Sequence, residues 1–353
     1  MLEGLKEKKT RKVSGSFVSP AVSVILLRMR IIVKRYRLHG PLLLNLPDHP
    51  LCVAMENFIL TISFLLIGMG LRRLRHFPDN TAQVLNLFVI HVSLPALVLI
   101  KVPGLVFSRQ LLLPALMPWF MLLVSAGLIL AAGKWWRWDR ETTGALLLLV
   151  PLGNTSFLGI PMVHAFFGEQ GISYAVLYDQ LGSFLALAIY GSVVLALYGK
   201  REGKPTVQTV ITKIMTFPPF ICLLLALLFR GLPVPAAAAV LLQTLAATLV
   251  PVVMVAVGFQ LTLRLSPDVL KPMAAGLLIK LVLAPCVALL VCRLFGFDSL
   301  AAQVSVFEAG MPPMVSAGAM AIMAGLAPRL SAALVGLGIF LSFVTLPLLF
   351  RFL

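Results

Sequence analysis

Apolar runs of about 20 residues recur along nearly the whole chain, and they limit its folds more than any other feature. Each run is long enough to cross a bilayer core of about 30 Å. Because that core holds no water, the spans must be helices or the strands of a closed barrel. Barrel strands alternate polar and apolar residues, whereas runs such as 145–151 and 277–283 do not. The sequence therefore predicts an all-α membrane protein.

The charged residues agree with this environment. Only 12% of the residues are charged and 60% are hydrophobic, too few charges for the surface of a soluble domain of this length. A net charge of +16 would suggest a nucleic-acid partner in a soluble protein. Here the charges lie in short loops between apolar runs, as in proteins oriented in a bilayer. We therefore expect the lipid bilayer, and not nucleic acid, as a partner.

The four cysteines are scattered and form no CxxC pair. Such cysteines are expected to be reduced, buried thiols rather than metal ligands or a redox site. We predict no bound metal and no organic cofactor.

The apolar runs from residue 55 onward predict ten transmembrane helices. They lie near 55–71, 82–101, 111–133, 142–166, 171–198, 207–229, 238–262, 270–294, 299–325 and 331–352. One set of loops and span ends carries thirteen Lys or Arg and the other carries five. We predict a multi-pass protein of the cell (inner or plasma) membrane. Because the excess marks the cytoplasmic side, both ends of this core are predicted to face outward.

Residues 1–54 differ from the rest, with ten Lys or Arg against three Asp or Glu. They could form a basic amphipathic surface segment, but they fit a secretory signal peptide poorly. A basic tail outside the cell conflicts with the charge rule, which favours a third interpretation, translation from Met55. The predicted units are thus this extension (1–54), a first repeat (55–198), a cytoplasmic linker (199–206) and a second repeat (207–353).

The two repeats are inferred from weak matches at an offset of 156 residues, such as Pro95 with Pro251. Each repeat holds five spans, and five is odd, so the second repeat must enter the membrane from the opposite side. Two inverted five-helix repeats are a recurring transporter design.

Spans four and nine are predicted to unwind near their middles, at residues 150–161 and 307–314. Proline removes a backbone donor and glycine weakens a helix. A simple proline kink is the alternative. Two interrupted helices would bring exposed N–H groups and positive dipole ends to the midplane, where they suit an anion.

Several motifs together resemble the auxin efflux carrier family of permeases. They are GNTSFLGIP at 153–161, FGEQG at 167–171, YDQ at 178–180, LN at 85–86, LPAL at 94–97, VGFQL at 257–261 and EAGMPP at 308–313. The resemblance covers about 55–353. It implies a ten-helix fold with crossed broken helices, related to bile acid sodium symporters, and transport of small organic anions such as auxin-like acids or dicarboxylates. The short loop at 199–205 favours a microbial-type permease.

The predicted substrate site lies where the two broken spans cross. Its predicted members are Gly153, Asn154, Thr155, Ser156, Pro161, Gly310, Met311, Pro312 and Pro313. Charges within spans are costly and are functional candidates, so Asp179, Glu308 and Lys280 are predicted to couple transport to a proton or sodium gradient. Their alternatives are a hydrogen-bonded carboxyl, a helix cap and a structural ion pair, respectively. His164, near the end of span four, is predicted to be interfacial.

We therefore predict a secondary transporter of small mono- or dicarboxylates that works by alternating access. The alternatives are a sodium-coupled symporter of the bile acid type and a membrane-embedded enzyme. The sequence holds no HExxH motif and no GxxxxGK[ST] loop, so neither a zinc protease nor an ATP-driven pump is expected, and we predict no enzymatic activity. Import or export, the identity of the anion and the formation of a homodimer stay open.

Overall fold

The computed structural model describes residues 50–353 except 75, 106–108, 201–205, 231, 233 and 262–268. Most of the predicted N-terminal extension and of the linker at 199–206 lies outside the described residues. The first helix begins at Pro50, five residues before Met55.

Helices make up nearly all of the described chain, and no β-strand occurs in it. In chain order they are α1 (Pro50–Leu71), α2 (Thr81–Lys101), α3 (Leu112–Trp136), α4 (Arg140–Leu149), α5 (Thr155–Phe167), α6 (Glu169–Tyr198), α7 (Val207–Met215), α8 (Pro218–Leu228), α9 (Ala236–Gln260), α10 (Leu270–Leu294), α11 (Leu300–Ala309), α12 (Val315–Met323) and α13 (Pro328–Phe350).

Six of the described helices are long and apolar enough to cross a membrane, and the bent pair of α7 and α8 makes a seventh candidate span. The six are α2, α3, α6, α9, α10 and α13. This architecture confirms the predicted all-helical membrane protein in its general form.

Spans four and nine are each interrupted where the sequence predicted it. In the first, α4 ends at Leu149 and α5 begins at Thr155; in the second, α11 ends at Ala309 and α12 begins at Val315. Both interruptions hold the prolines that remove helix donors.

The span predicted near 207–229 is not one straight helix, because α7 and α8 are bent by 66°. Pro218 starts α8, and the preceding Phe217 is extended, with φ −78° and ψ 114°. A residue before proline is pushed out of the helical region, so the sequence carried a signal for this break.

Helices α1 and α9 pack closely and run in the same direction. A Cβ on Gly68 would overlap the carbonyl oxygen of Val255, and one on Gly258 would overlap that of Leu65. Near the C-terminal ends of both helices, the Arg72 guanidinium donates to the carbonyl oxygen of Leu261 at 2.9 Å. The preceding turns of both helices, at 57–64 and 243–251, line one cavity together. Glycines thus permit a contact that larger residues would prevent.

An aromatic cluster fills the core beside the interruptions. Phe166 of α5 lies 5.3 Å from Phe58 of α1, 5.4 Å from Phe307 of α11 and 5.0 Å from Phe350 of α13, between ring centroids. Burial of these large rings and their tilted contacts stabilise the arrangement of four helices around the site.

Wide π-helical turns interrupt three of the long helices. They are Val89–Ser93 in α2, Tyr178–Phe184 and Leu187–Gly191 in α6, and Ile279–Leu283 in α10. Asp179 and Lys280 both lie in such turns. Turns of this kind often occur at functional sites.

Candidate functional site

The two interruptions meet in a short antiparallel bridge between Gly153 and Pro313. The Asn154 N–H donates to the Pro312 carbonyl oxygen at 2.8 Å, and the Met314 N–H donates to the Leu152 carbonyl oxygen at 3.0 Å. The two hydrogen bonds satisfy four backbone groups that neither helix could pair by itself. We call this contact the crossing.

Helices α5 and α12 both begin at the crossing. The Asn154 carbonyl oxygen accepts from the N–H groups of Leu158 and Gly159 and so starts α5, while the Met314 carbonyl oxygen accepts from Gly318 and starts α12. The N–H groups in the first turn of a helix have no acceptor within it. Two sets of donors, with the positive ends of two helix dipoles, therefore lie at the crossing.

Asn154 adds a side-chain donor to this group. Its side chain is 1% exposed, and its amide nitrogen has no hydrogen-bond partner among the described residues. A buried donor without a partner costs free energy, so this amide is the clearest candidate to contact a ligand.

Asp179 is held by three donors. Thr155 and Ser156 each donate from their hydroxyls to Asp179 Oδ1 at 2.5 Å, and the Gln180 amide donates to Oδ2 at 2.7 Å. The predicted donors Thr155 and Ser156 thus bind a carboxyl of the protein, and Asp179 ties α6 to the first turn of α5.

Glu308 is buried in a different way. It is 1% exposed, and neither of its carboxyl oxygens has a hydrogen-bond partner among the described residues. Its carboxyl lies against the Gly159 α-carbon, where a Cβ would overlap both oxygens. Only glycine at 159 leaves room for this acid.

Lys280 approaches the crossing from α10. Its ammonium nitrogen lies 3.2 Å from the position that a Cβ would take on Gly153. It forms no ion pair with a described carboxylate. The structure thus brings one basic and two acidic side chains around the two interruptions.

The open space at the crossing is small. A cavity of about 10 Å³ reaches the site, enough for about one water molecule. It is lined by Pro118, Leu122, Pro151, Leu152, Gly153, Thr155, Tyr178, Ser183, Ala186, Lys280 and Glu308. The crossing is therefore closed to an organic anion in this conformation.

Two larger cavities lie along α9, one beside its middle and one beside its C-terminal end. The first has a volume of about 580 Å³ and is lined by residues 243–251 of this helix, with parts of α1, α2, α5 and α6. The second has a volume of about 190 Å³ and is lined by the C-terminal residues of α9, with α12 and α13. Ile160, just after Gly159, lines the first cavity, and Val315 lines the second. Each cavity thus reaches one of the two helices that begin at the crossing.

The other predicted site residues take structural positions near the crossing. Pro161 lies in α5 and is buried, and Met311 is fully buried with its Cβ facing Gly153. Gly310 ends α11, and a Cβ there would approach Leu349 at 3.0 Å. Its α-carbon therefore faces α13.

Sequence reasoning did not single out Gly159, Tyr178 or Gln180 as site residues. Gly159 and Gln180 belong to motifs quoted above, but only the contacts reveal their partners, Glu308 and Asp179. Among the described residues, no group of three His, Cys, Asp or Glu side chains is arranged to hold a metal ion.

Comparison with known proteins shows the family of this chain. The sequence matches the family described as Membrane transport protein over residues 53–350. The chain belongs to this family, the auxin efflux carriers. It is a multi-pass membrane protein, and the resemblance drawn from its motifs is confirmed.

Two archaeal members of the auxin efflux carrier family show the extent of the similarity. An uncharacterized transporter of Methanocaldococcus jannaschii is 27% identical over 303 residues, which cover 82% of this chain and 94% of the relative. An uncharacterized transporter of Methanothermobacter thermautotrophicus is 27% identical over 301 residues, covering 83% and 96%. Family and relatives point to transport and away from enzymatic activity.

Proposed function

We propose that this protein is a secondary active transporter of small organic anions, such as mono- or dicarboxylates. The observation that carries the proposal is the crossing, where two interrupted helices begin beside a buried, unpartnered Asn154 amide. Exposed N–H groups at helix N-termini bind anions. The Lys280 ammonium beside Gly153 adds positive charge at the same place.

The proposed topology is ten crossings of the membrane in two inverted five-helix repeats. Counting α4 with α5, α7 with α8 and α11 with α12 as single spans gives ten. The crossing supports this symmetry, because the residues at 152 and 154 accept and donate as those at 312 and 314 do in return. Parallel packing of α1 and α9 is also what the first and seventh spans require.

The proposed mechanism is alternating access to the crossing. The site is closed here, while one larger cavity reaches α5 and the other reaches α12, the two helices that begin at the crossing. A movement of α5 and α12 relative to α1 and α9 would connect the anion site with one cavity at a time. Interrupted helices at a repeat interface commonly serve this mechanism.

Glu308 is the proposed coupling residue, with Lys280 and Asp179 beside it. An acid buried without a hydrogen-bond donor is costly to ionise, so it suits a group that takes up and releases a proton during the cycle. Asp179 already has three donors, which favours a positioning role on α5. Sodium coupling, as in a bile-acid-type symporter, is the competing case.

A binding screen tests the proposed function directly. Purified protein is titrated calorimetrically with mono- and dicarboxylates, with and without sodium and across pH. Loss of the Asn154 donor in Asn154→Ala should weaken anion binding roughly 10–150-fold, as expected for a hydrogen bond of about 1.5–3 kcal/mol to a charged group.

The matched control for that variant is Asn86→Ala. It removes a side-chain amide from α2, and Asn86 takes no part in the two hydrogen bonds of the crossing. Both variants should stay monodisperse and keep their thermal stability. Wild-type affinity in Asn154→Ala would remove the crossing as the anion site, and sodium-dependent binding would favour the symporter alternative.

A further inference from the structure

The larger of the two cavities has mostly apolar walls and one group of charged residues. Its volume of about 580 Å³ lies in the range of small-molecule sites. Most of the lining is aliphatic or aromatic, from Leu60 and Phe64 of α1, Leu97 of α2, and Leu249 and Val250 of α9. A ligand there would bury an apolar body.

All the charged residues that line this cavity belong to one cluster. It consists of Lys101 at the end of α2, Glu169 at the start of α6 and His164 of α5. Lys101 forms an ion pair with Glu169, and His164 Nε2 lies 3.1 Å from the other oxygen of that carboxylate. The remaining polar lining residues, Asn57, Thr61 and Gln243, are uncharged.

The two halves of the ion pair are held differently. The Ser173 hydroxyl donates to the Lys101 carbonyl oxygen at 3.0 Å, so the end of α2 stays fixed on α6 without the ion pair. The Lys101 side chain is 28% exposed, whereas that of Glu169 is 64% exposed. Glu169 can therefore turn toward the solvent while Lys101 remains at the cavity.

Exchange of the Glu169 carboxylate for another carboxylate costs little. Ion pairs with exposed partners contribute little to stability, because solvent screens them. An incoming carboxylate would replace one oxygen acceptor by another on the same ammonium group. Its apolar body would also contact the cavity walls, and the Glu169 side chain makes no comparable apolar contact.

We propose that this cavity is a binding site for monocarboxylates with an apolar body, whose carboxylate replaces Glu169 as the partner of Lys101. The site is separate from the crossing, because neither the residues that form the crossing nor Glu308 and Lys280 line this cavity. Because the anion is taken as cargo on its way to the crossing, this role rests on the proposed function. Dicarboxylates bind less well, since a second charge would face Leu60, Phe64 and Leu97.

Calorimetry on the purified full chain with 4-bromobenzoate tests the site, with 4-bromobenzamide as the uncharged probe and succinate as the dicarboxylate. Wild-type protein should bind 4-bromobenzoate at least about ten-fold more tightly than either. Glu169→Gln removes the competitor and should tighten binding about two- to five-fold. Lys101→Gln removes the cation and should weaken it at least about ten-fold.

The decisive result is that the two variants change the affinity in opposite directions. If the ion pair were merely structural, both variants would show the same defect. Glu141→Gln is the matched control, since it opens the exposed Glu141–Lys200 ion pair outside this cavity and should leave the affinity unchanged. If Lys101→Gln does not stay monodisperse, Glu169→Gln decides alone, with Lys101→Arg expected to retain binding.

Equal or weaker binding in Glu169→Gln, or equal affinity of wild type for 4-bromobenzoate and 4-bromobenzamide, would overturn the site. Transport measured separately keeps the two proposals apart. Carboxylate transport without the opposite effects of the two variants would remove the cavity site and leave the transporter. Opposite effects of the two variants in a protein that transports no anion would support the cavity site and remove the proposed transport function.

Discussion

At the scale of single residues, the crossing contains polar groups of two kinds. Asp179 has three donors, whereas the Asn154 amide nitrogen and both Glu308 oxygens have no described partner. A polar group whose hydrogen bonds are all made stabilises one conformation. For a polar group without partners, binding a ligand or a proton lowers the free energy. This difference separates the proposed positioning residue from the proposed binding and coupling residues.

Glu308→Gln and Gly159→Ala should produce the same transport defect. The first removes the acid, and the second adds a Cβ where the carboxyl lies, which must displace it. We expect both variants to lose gradient-driven accumulation at least about ten-fold while anion exchange persists. The measurement compares the two kinds of uptake in proteoliposomes.

Gly127→Ala is the control for this pair, because a Cβ at this position of α3 meets nothing within 4 Å. It should transport like wild type. Normal accumulation in Glu308→Gln would place the coupling group elsewhere, whatever the result for Gly159→Ala.

Residue identities alone predicted the acids but not their partners. Thr155 and Ser156 were expected to donate to the substrate, since hydroxyls beside a helix break suit an anion. In the structure both donate to Asp179, 24 and 23 residues away in the chain. No local pattern encodes which of several nearby acceptors a hydroxyl will choose, so this pairing required the fold.

At the scale of helices, glycine and proline decide both the breaks and the close contacts. The breaks at 150–154 and 310–314 follow from local chemistry and were predicted from the sequence. Their mutual pairing depends on chain segments about 160 residues apart, which local chemistry does not specify. The bend at Phe217 also had a local signal, the following Pro218, but a long apolar run concealed it.

Gly258→Ala should destabilise the packing of α1 on α9. The added methyl group would overlap the Leu65 carbonyl oxygen, and the backbone cannot give way as a flexible side chain can. Overpacking of this kind costs about 1–3 kcal/mol, so the unfolding temperature of the purified protein should fall.

Gly70→Ala on α1 provides the comparison, because a Cβ there meets nothing within 4 Å. Its unfolding temperature should stay level or rise slightly, since alanine favours a helix over glycine. Equal unfolding temperatures for the two variants would mean that α1 and α9 do not approach as closely as described.

At the scale of the whole molecule, the apolar runs predicted an all-helical membrane protein, and the family match and the described helices confirm it. Ten spans, inverted repeats and orientation stay predictions. Six or seven described helices qualify as spans by length and apolarity, and interruption leaves α4, α5, α11 and α12 short. The breaks that suit an anion site therefore also shorten the helices that contain them.

Orientation can be tested by labelling single cysteines in a chain whose four native cysteines are replaced. Lys200 lies on the side that holds thirteen Lys or Arg and should be cytoplasmic. Arg351, near the C-terminus, lies on the side that holds five and should be outside. An impermeant maleimide should label Arg351→Cys in intact cells, and Lys200→Cys only after the cells are opened. Labelling of position 200 from outside would reverse the topology.

Counterflow in proteoliposomes tests the central claim, alternating access to an anion site at the crossing. Vesicles are loaded with the unlabelled carboxylate that binds best in the screen, and labelled anion is added outside. A carrier predicts saturable uptake with a transient accumulation above equilibrium, lost in Asn154→Ala and kept in Asn86→Ala. Uptake that neither saturates nor overshoots, or that Asn154→Ala leaves unchanged, would contradict the account.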